Sequence, residues 1–117
     1  MLVTKVPFKD VIKFAELSGD DQEIHLNDRT VQGGLILSLL FGKWSKEISL
    51  AAGSRHPVYK TGRVTSRFYC LLAADTDIKV IIKPIKNRYP FIINEWSIEL
   101  LSGKLVADGE WTLWYAV

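Results

Sequence analysis

The sequence predicts an α+β domain in which a curved antiparallel sheet wraps a central hydrophobic helix. Three observations carry that expectation. Residues 35–44, LILSLLFGKW, are apolar on nearly every side, and a helix of that kind needs other structure around it. Four later runs are rich in β-branched and aromatic residues. The separators between those runs are short, which makes consecutive strands antiparallel neighbours.

Taken in order, residues 10–17 (DVIKFAEL) read as a short helix through Val11, Phe14 and Ala15, ended by Ser18-Gly19. Residues 19–28 (GDDQEIHLND) are too polar for a core element, apart from Ile24 and Leu26, and suit a loop holding titratable groups. After Gln32-Gly33-Gly34 comes the hydrophobic helix. Strands are expected over 63–72, 77–85, 91–101 and 104–117, separated by AADT, NRYP and a tight Ser102-Gly103 turn. In the last of these, Leu105, Ala107, Gly109, Trp111, Leu113 and Tyr115 share one face, and Asp108, Glu110 and Thr112 share the other. One face packs and one is wet.

The chain has 117 residues, 15 Lys plus Arg against 13 Asp plus Glu, and a formal charge of +2, which suits one domain over 1–117. With 48% hydrophobic and 24% charged residues, a disordered chain, a collagen-like repeat and a nucleic-acid-coating tail are all disfavoured. The single Cys70 allows no internal disulfide, and no Cys/His cluster offers a metal site, so a reducing, cytoplasmic setting is expected. The strongly apolar stretch 35–41 is far short of the roughly 20 residues that cross a bilayer, and the first ten residues lack an apolar signal segment. Neither membrane insertion nor secretion is expected.

The informative segment is Phe14-Ala15-Glu16-Leu17-Ser18-Gly19-Asp20-Asp21-Gln22-Glu23-Ile24-His25-Leu26. It resembles the MaoC-like (R)-specific enoyl-CoA hydratases and acyl dehydratases, a hot-dog family. Their signature is an aromatic residue, then Ser-Gly-Asp, any residue, Asn-Pro, an aliphatic residue and His. Asp20 and His25 fall on the signature Asp and His, and Gln22-Glu23 stands where the family has Asn-Pro. The stretch VQGGLILSLL looks like the start of the family's central helix, and the four later strands match its sheet in order and length. Between His25 and the helix only 26–32 intervene, where relatives carry a longer segment that closes the acyl tunnel.

The resemblance implies a hot-dog domain that adds or removes water across the 2,3-double bond of a short or medium acyl thioester. That reaction needs a base for the attacking water, an acid for the α-carbon and donors for the enolate-like oxygen. The resemblance assigns the water to Asp20 and His25, with Asp20 as main base and His25 orienting the water and sharing proton transfer. The unpaired N–H groups of a helix start suit the oxygen, and Gly33 and Gly34 let backbone approach a ligand closely. Which glycine donates stays open at this point, as do Ser38 and Gly42, near where some relatives carry a helical serine. No metal or redox cofactor is implied, since coenzyme A or phosphopantetheine enters as part of the substrate.

Other residues read as structural. Asp21 and Glu23 suit solvated loop charges, although Glu23 adds negative charge beside the proposed base. His56 precedes Pro57 in a loop without a partner nearby in sequence, and Cys70 shares a strand face with Val64, Phe68 and Leu72 as a buried thiol. Asn87-Arg88-Tyr89-Pro90-Phe91 looks locally like the opening of the β-hydroxyacyl-carrier-protein dehydratases, but the His and Glu segments that should follow are missing. Arg55, Lys60, Arg63 and Arg67 cluster, with Arg63 and Arg67 on one strand face, and could meet the phosphates of coenzyme A or an acidic acyl-carrier protein. Nucleic acid is not an expected partner at this charge. A homodimer is expected, because 91–101 or 104–117 would otherwise leave a long unprotected edge and because related hot-dog sites lie between subunits. Two other activities fit the same residues: an acyl-CoA thioesterase, and a catalytically degenerate domain that binds an acyl thioester or a protein.

Overall fold

The computed structural model describes residues 2–19, 22–52 and 58–116. Among the described residues nine elements follow in order: β1 (Leu2–Thr4), α1 (Phe8–Ser18), α2 (Glu23–Leu26), α3 (Gly33–Ala52), β2 (Val58–Val64), β3 (Arg67–Phe68), β4 (Ile78–Arg88), β5 (Phe91–Leu100) and β6 (Leu105–Ala116). All six strands join one antiparallel sheet of order β1-β4-β5-β6-β2, with β3 also on β6. The expected α+β arrangement of helix on antiparallel sheet is present.

The packed face of the sheet carries Ile78 and Val80 of β4, Trp96 and Ile98 of β5, and Trp111 and Leu113 of β6, all at most 3% exposed. Against it lie Val11 of α1 and Ile36 and Leu40 of α3. The Phe41 ring meets Trp111 at 4.7 Å between centroids, tying α3 to the middle of the sheet. Burying this many large side chains on one face is what sets the register, because a one-residue slip would turn them all to water.

Several features differ from the sequence reading. The helix α3 is not enclosed on all sides by the described residues: Ile36 and Leu40 are buried, whereas Gly34, Ser38 and Gly42 are exposed along one stripe. The small and polar positions occupy the open side, so the helix is amphipathic over its first turns. The strand expected over 63–72 is two strands, β2 and β3, laid end to end along β6. The break is at Thr65, whose N–H bonds Glu110 O at 2.9 Å while its Oγ1 accepts from Glu110 N at 3.0 Å. Its carbonyl stands where a side chain on Gly109 would be, which is why position 109 has none. Arg63 and Arg67 therefore sit on different strands, opposite Thr112 and Asp108. Cys70 lies beyond β3, half-buried with Sγ 3.6 Å from Leu105 O, and Phe68 is 46% exposed.

The third difference is at the edges. β5 and β6 are each paired on both sides, so neither is the unprotected edge that motivated a dimer. The edges are the β2/β3 side and the β4 side, where β1 covers only Ile78–Val80 and no described strand pairs with 81–88. Finally, the polar loop 19–28 contains the single helical turn α2. The β4–β5 hairpin is also longer than expected: Asn87 and Arg88 belong to β4, and Pro84 is tolerated inside it where the register shifts between Pro84 and Lys86. The Ser102-Gly103 turn is as read, with Gly103 at φ 94° and its N–H on Leu100 O. No described helix is long and apolar enough to cross a membrane.

Candidate active site

The site is built where α1 stops and α3 starts. Gly19 ends α1 in the left-handed conformation, φ 76°, with its N–H on Ala15 O at 2.9 Å, and Ser18 Oγ donates to Phe14 O at 2.6 Å. The Ser-Gly of the motif is thus the helix stop. Asp20 and Asp21, immediately beyond, lie outside the described residues, as do Arg55 and His56.

The α2 turn follows, with Gln22 O accepting from His25 N at 2.9 Å and Glu23 O accepting from Asn27 N at 2.7 Å. This turn presents His25, which is half-buried. Its Nδ1 lies 2.8 Å from Thr30 O. A carbonyl only accepts, so Nδ1 carries the hydrogen in this bond and the neutral ring keeps its lone pair on Nε2. This hydrogen bond favours one tautomer and helps to orient the ring.

The acceptor is itself held. Thr30 is 6% exposed, forms a bridge with Ala73, and donates its N–H to Ile24 O at 3.0 Å. Arg29 before it adopts φ 58°, unusual for a residue with a side chain. It is retained by several contacts: an ion pair to Asp75 at 2.7 Å, its guanidinium 4.2 Å from the Phe8 ring centre, and its carbonyl accepting from Ala74 N at 2.7 Å. Val31 N then bonds Leu72 O at 2.8 Å. The segment between His25 and α3 is short and is sewn to residues 72–75.

Gln32 leads into α3. It is fully buried, its Nε2 donates to Val11 O at 3.0 Å, and its carbonyl receives the first helical bond from Ile36 N at 3.1 Å. Its Oε1 is buried without a hydrogen-bond partner among the described residues. The N–H groups of Gly33, Gly34 and Leu35 belong to the first turn, where no intrahelical acceptor exists. Both glycines pack closely against aromatic rings. A Cβ on Gly34 would be 2.9 Å from Phe14 Cζ, and one on Gly33 would be 3.2 Å from Phe68 Cζ. Phe14 and Phe68 thus flank the start of the helix on two sides.

Ser38 Oγ donates to Gly34 O at 2.9 Å, so its hydrogen is committed to its own helix. Beside it runs a groove of about 370 Å³, walled by Val6, Leu35 and Leu39 and bordered by Ser38 and Gly42. Lys5 and Asp10 also line it. A second hollow of about 400 Å³, among Lys83, Glu95, Glu99 and Glu110, touches none of the candidate residues. Arg67 lines a separate polar crevice with Thr65 and Tyr69, and the Tyr69 hydroxyl donates to Asp108 at 2.9 Å. Among the described residues, no group of three or more His, Cys, Asp or Glu side chains could hold a metal ion.

The structure brings His25, Thr30, Gly33, Gly34 and Ser38 onto one continuous stretch, and leaves Arg63 and Arg67 on the strand side of the fold. Phe68, Arg29 and Gln32 were not singled out from sequence as parts of the site. Nothing in the sequence marks the Arg29 and Asp75 pair, which are 46 residues apart. Phe14, in contrast, is the aromatic residue of the motif.

No protein-family model and no curated protein sequence matches the chain. Solved structures do match. The (R)-hydratase PhaJ1 from Pseudomonas aeruginosa, in its unliganded form, superposes with a TM-score of 0.77 at 20% identity, covering 97% of this chain and 77% of that one. An (R)-hydratase from A. caviae involved in PHA biosynthesis gives 0.76 at 18% identity, covering 98% and 92%. A hypothetical thioesterase protein with coenzyme A from Streptococcus pneumoniae TIGR4 gives 0.64 at 10% identity, covering 75% and 68%. The chain has the hot-dog fold, shared by hydratases and thioesterases alike.

Proposed function

We propose that the protein is a hydratase or dehydratase acting on the 2,3-double bond of a short or medium acyl thioester. The observation that carries this reading is the His25–Thr30 bond, which leaves the imidazole lone pair on Nε2, on a loop continuous with the first turn of α3. The fold shared with two (R)-hydratases over nearly the whole chain supports it.

In this mechanism His25 Nε2 orients a water, and Asp20 takes its proton as the oxygen bonds to C3. The electron pair of the double bond moves through C2 to the thioester oxygen, and an N–H of the helix start, at Gly33 or Gly34, stabilises the charge there. The proton returns to C2, completing the addition. Water elimination is the same path reversed. No metal or redox group enters, and coenzyme A or phosphopantetheine is carried by the substrate. We also expect a homodimer, with Phe68 and Leu71, 46% and 69% exposed, as the apolar residues a second copy would cover. Sedimentation of the purified chain tests it, and a monomer at micromolar concentration would refute it.

The thioesterase neighbour that carries coenzyme A supports a second reading, in which Asp20 directs water to the carbonyl carbon instead. Products separate the two. Crotonyl-CoA should yield 3-hydroxybutyryl-CoA with no free thiol. Release of free coenzyme A would replace the hydratase reading by the thioesterase one, and ligand-induced stabilisation without turnover would point to a degenerate binding domain.

A further inference from the structure

We infer that Gln32 is a positioning residue: its buried carboxamide holds α1 against the start of α3 and so fixes the proposed oxygen donors relative to the loop of Asp20 and His25. The inference rests on the acyl-thioester reading above. It begins from a cost. Gln32 is 0% exposed, and its Oε1 has no hydrogen-bond partner among the described residues. Val11 O only accepts, so the amide atom 3.0 Å from it is the NH2 nitrogen and the orphan is the oxygen. A buried acceptor left unpaired costs more than one neutral hydrogen bond returns. On balance the carboxamide destabilises the fold, whereas an apolar side chain of the same shape would not.

What the side chain supplies is a tie between two helices. Its Nε2 donates to Val11 O in the first half of α1, and its main-chain carbonyl accepts the first bond of α3 from Ile36 N at 3.1 Å. The same helices meet again where the Phe14 ring lies on Gly34, a Cβ there being 2.9 Å from Cζ. Val11 and Phe14 are three residues apart, on one face of α1. A single contact leaves a helix free to swing about it, and two contacts a turn apart set its direction. The ring contact is apolar and tolerates sliding, but a hydrogen bond is directional. Gln32 therefore contributes the part of the junction that resists rotation.

Both ends of this tie lead to the site. Gly19 ends α1 one residue before Asp20, and α3 starts at Gly33, one residue after Gln32. His25 is held from the segment between them, through Thr30 O. A swing of α1 against α3 would move the water-holding groups relative to the first-turn N–H donors. A misplacement of about 1 Å can lower a rate on the order of 100-fold.

The test separates hydrogen bonding from packing with two substitutions of nearly the same shape. Gln32→Met fills the space without a donor. Gln32→Glu, assayed near about pH 6 where burial keeps a carboxyl protonated, again offers one donor and one acceptor. For crotonyl-CoA hydration, Gln32→Met should lower kcat about tenfold with KM within about twofold, and its melting temperature should be at or above that of the wild type. Gln32→Glu should recover most of the lost kcat. Wild-type turnover in Gln32→Met would overturn the inference, as would a Gln32→Glu protein less active than Gln32→Met, since packing alone would then explain the residue. A Gln32→Met protein that unfolds at lower temperature, or does not fold, would overturn it by making Gln32 a stabilising core residue. A wild-type protein without turnover would also overturn it. The same pattern in kcat for release of free coenzyme A, without hydration, would sustain the positioning role and sink the hydratase reading alone.

Discussion

The sheet and the segment 19–32 hold their shapes in opposite ways. Between them, β4, β5 and β6 pair over almost their full lengths, and Trp96, Ile98, Trp111 and Leu113 lie on the packed face at 2% exposure or less. Many similar bonds and one apolar face share the work, so no single hydrogen bond decides the outcome. The segment 19–32 has one turn of helix and a few individual contacts: His25 to Thr30, Arg29 to Asp75, Val31 to Leu72 and Gln32 to Val11. Repetition makes the scaffold stable, while singular contacts make the site specific. Substitutions in the two regions should therefore be read out by different measurements.

The largest effect is expected in the site and in turnover. Asp20→Asn and His25→Ala should each lower kcat/KM by roughly 10²–10⁴-fold while the melting temperature stays nearly constant. Near-normal turnover in either variant would remove that residue from the mechanism and blur the contrast between the regions. In the sheet the order reverses. Leu113→Ala opens a cavity beneath Trp111 and α3 and should cost about 2–5 kcal/mol in urea unfolding, with the activity of the folded fraction largely retained. A loss under 1 kcal/mol would mean that the sheet face collapses around the gap.

The smallest effect on stability belongs to Arg29, whose ion pair with Asp75 is half-exposed on both sides. Such pairs contribute at most about 1 kcal/mol, so Arg29→Ala should scarcely shift unfolding. Turnover should nevertheless fall about tenfold, because Arg29 O and the neighbouring Thr30 O set the imidazole. Arg29→Gly, which accepts φ 58° without strain, should recover part of that loss. Equal activities for the two variants would show that the backbone conformation is not what positions His25.

The periodicity of the chain identified α1, α3 and the long strands, because local pattern and tertiary role agree there. It failed where the decisive partner is distant in sequence. The strand expected over 63–72 breaks because Glu110 and the Thr65 carbonyl reshape the chain beside Gly109, 44 residues away. β1 escaped notice since three residues carry no period of their own, and only pairing with β4 makes them a strand. Within the site, the Ser-Gly-Asp motif and the glycine pair were readable because helix stops and starts have local signatures. The aromatic cover of those glycines was not, since Phe68 reaches Gly33 only after β3 docks on β6.

By itself, then, the sequence determined the number and kind of long elements, the end of α1 at Gly19 and the start of the hydrophobic helix near Gly33. These follow from backbone preferences and from the spacing of apolar residues, which act over a few positions. Tertiary structure decided which strands became edges, which flank of α3 stayed open beside Gly42, and which nitrogen of His25 carries the hydrogen. Each of those depends on a partner brought from far along the chain: β4 against β1, Val6 against Leu39, and the residue-73 segment that holds Thr30 beneath the imidazole.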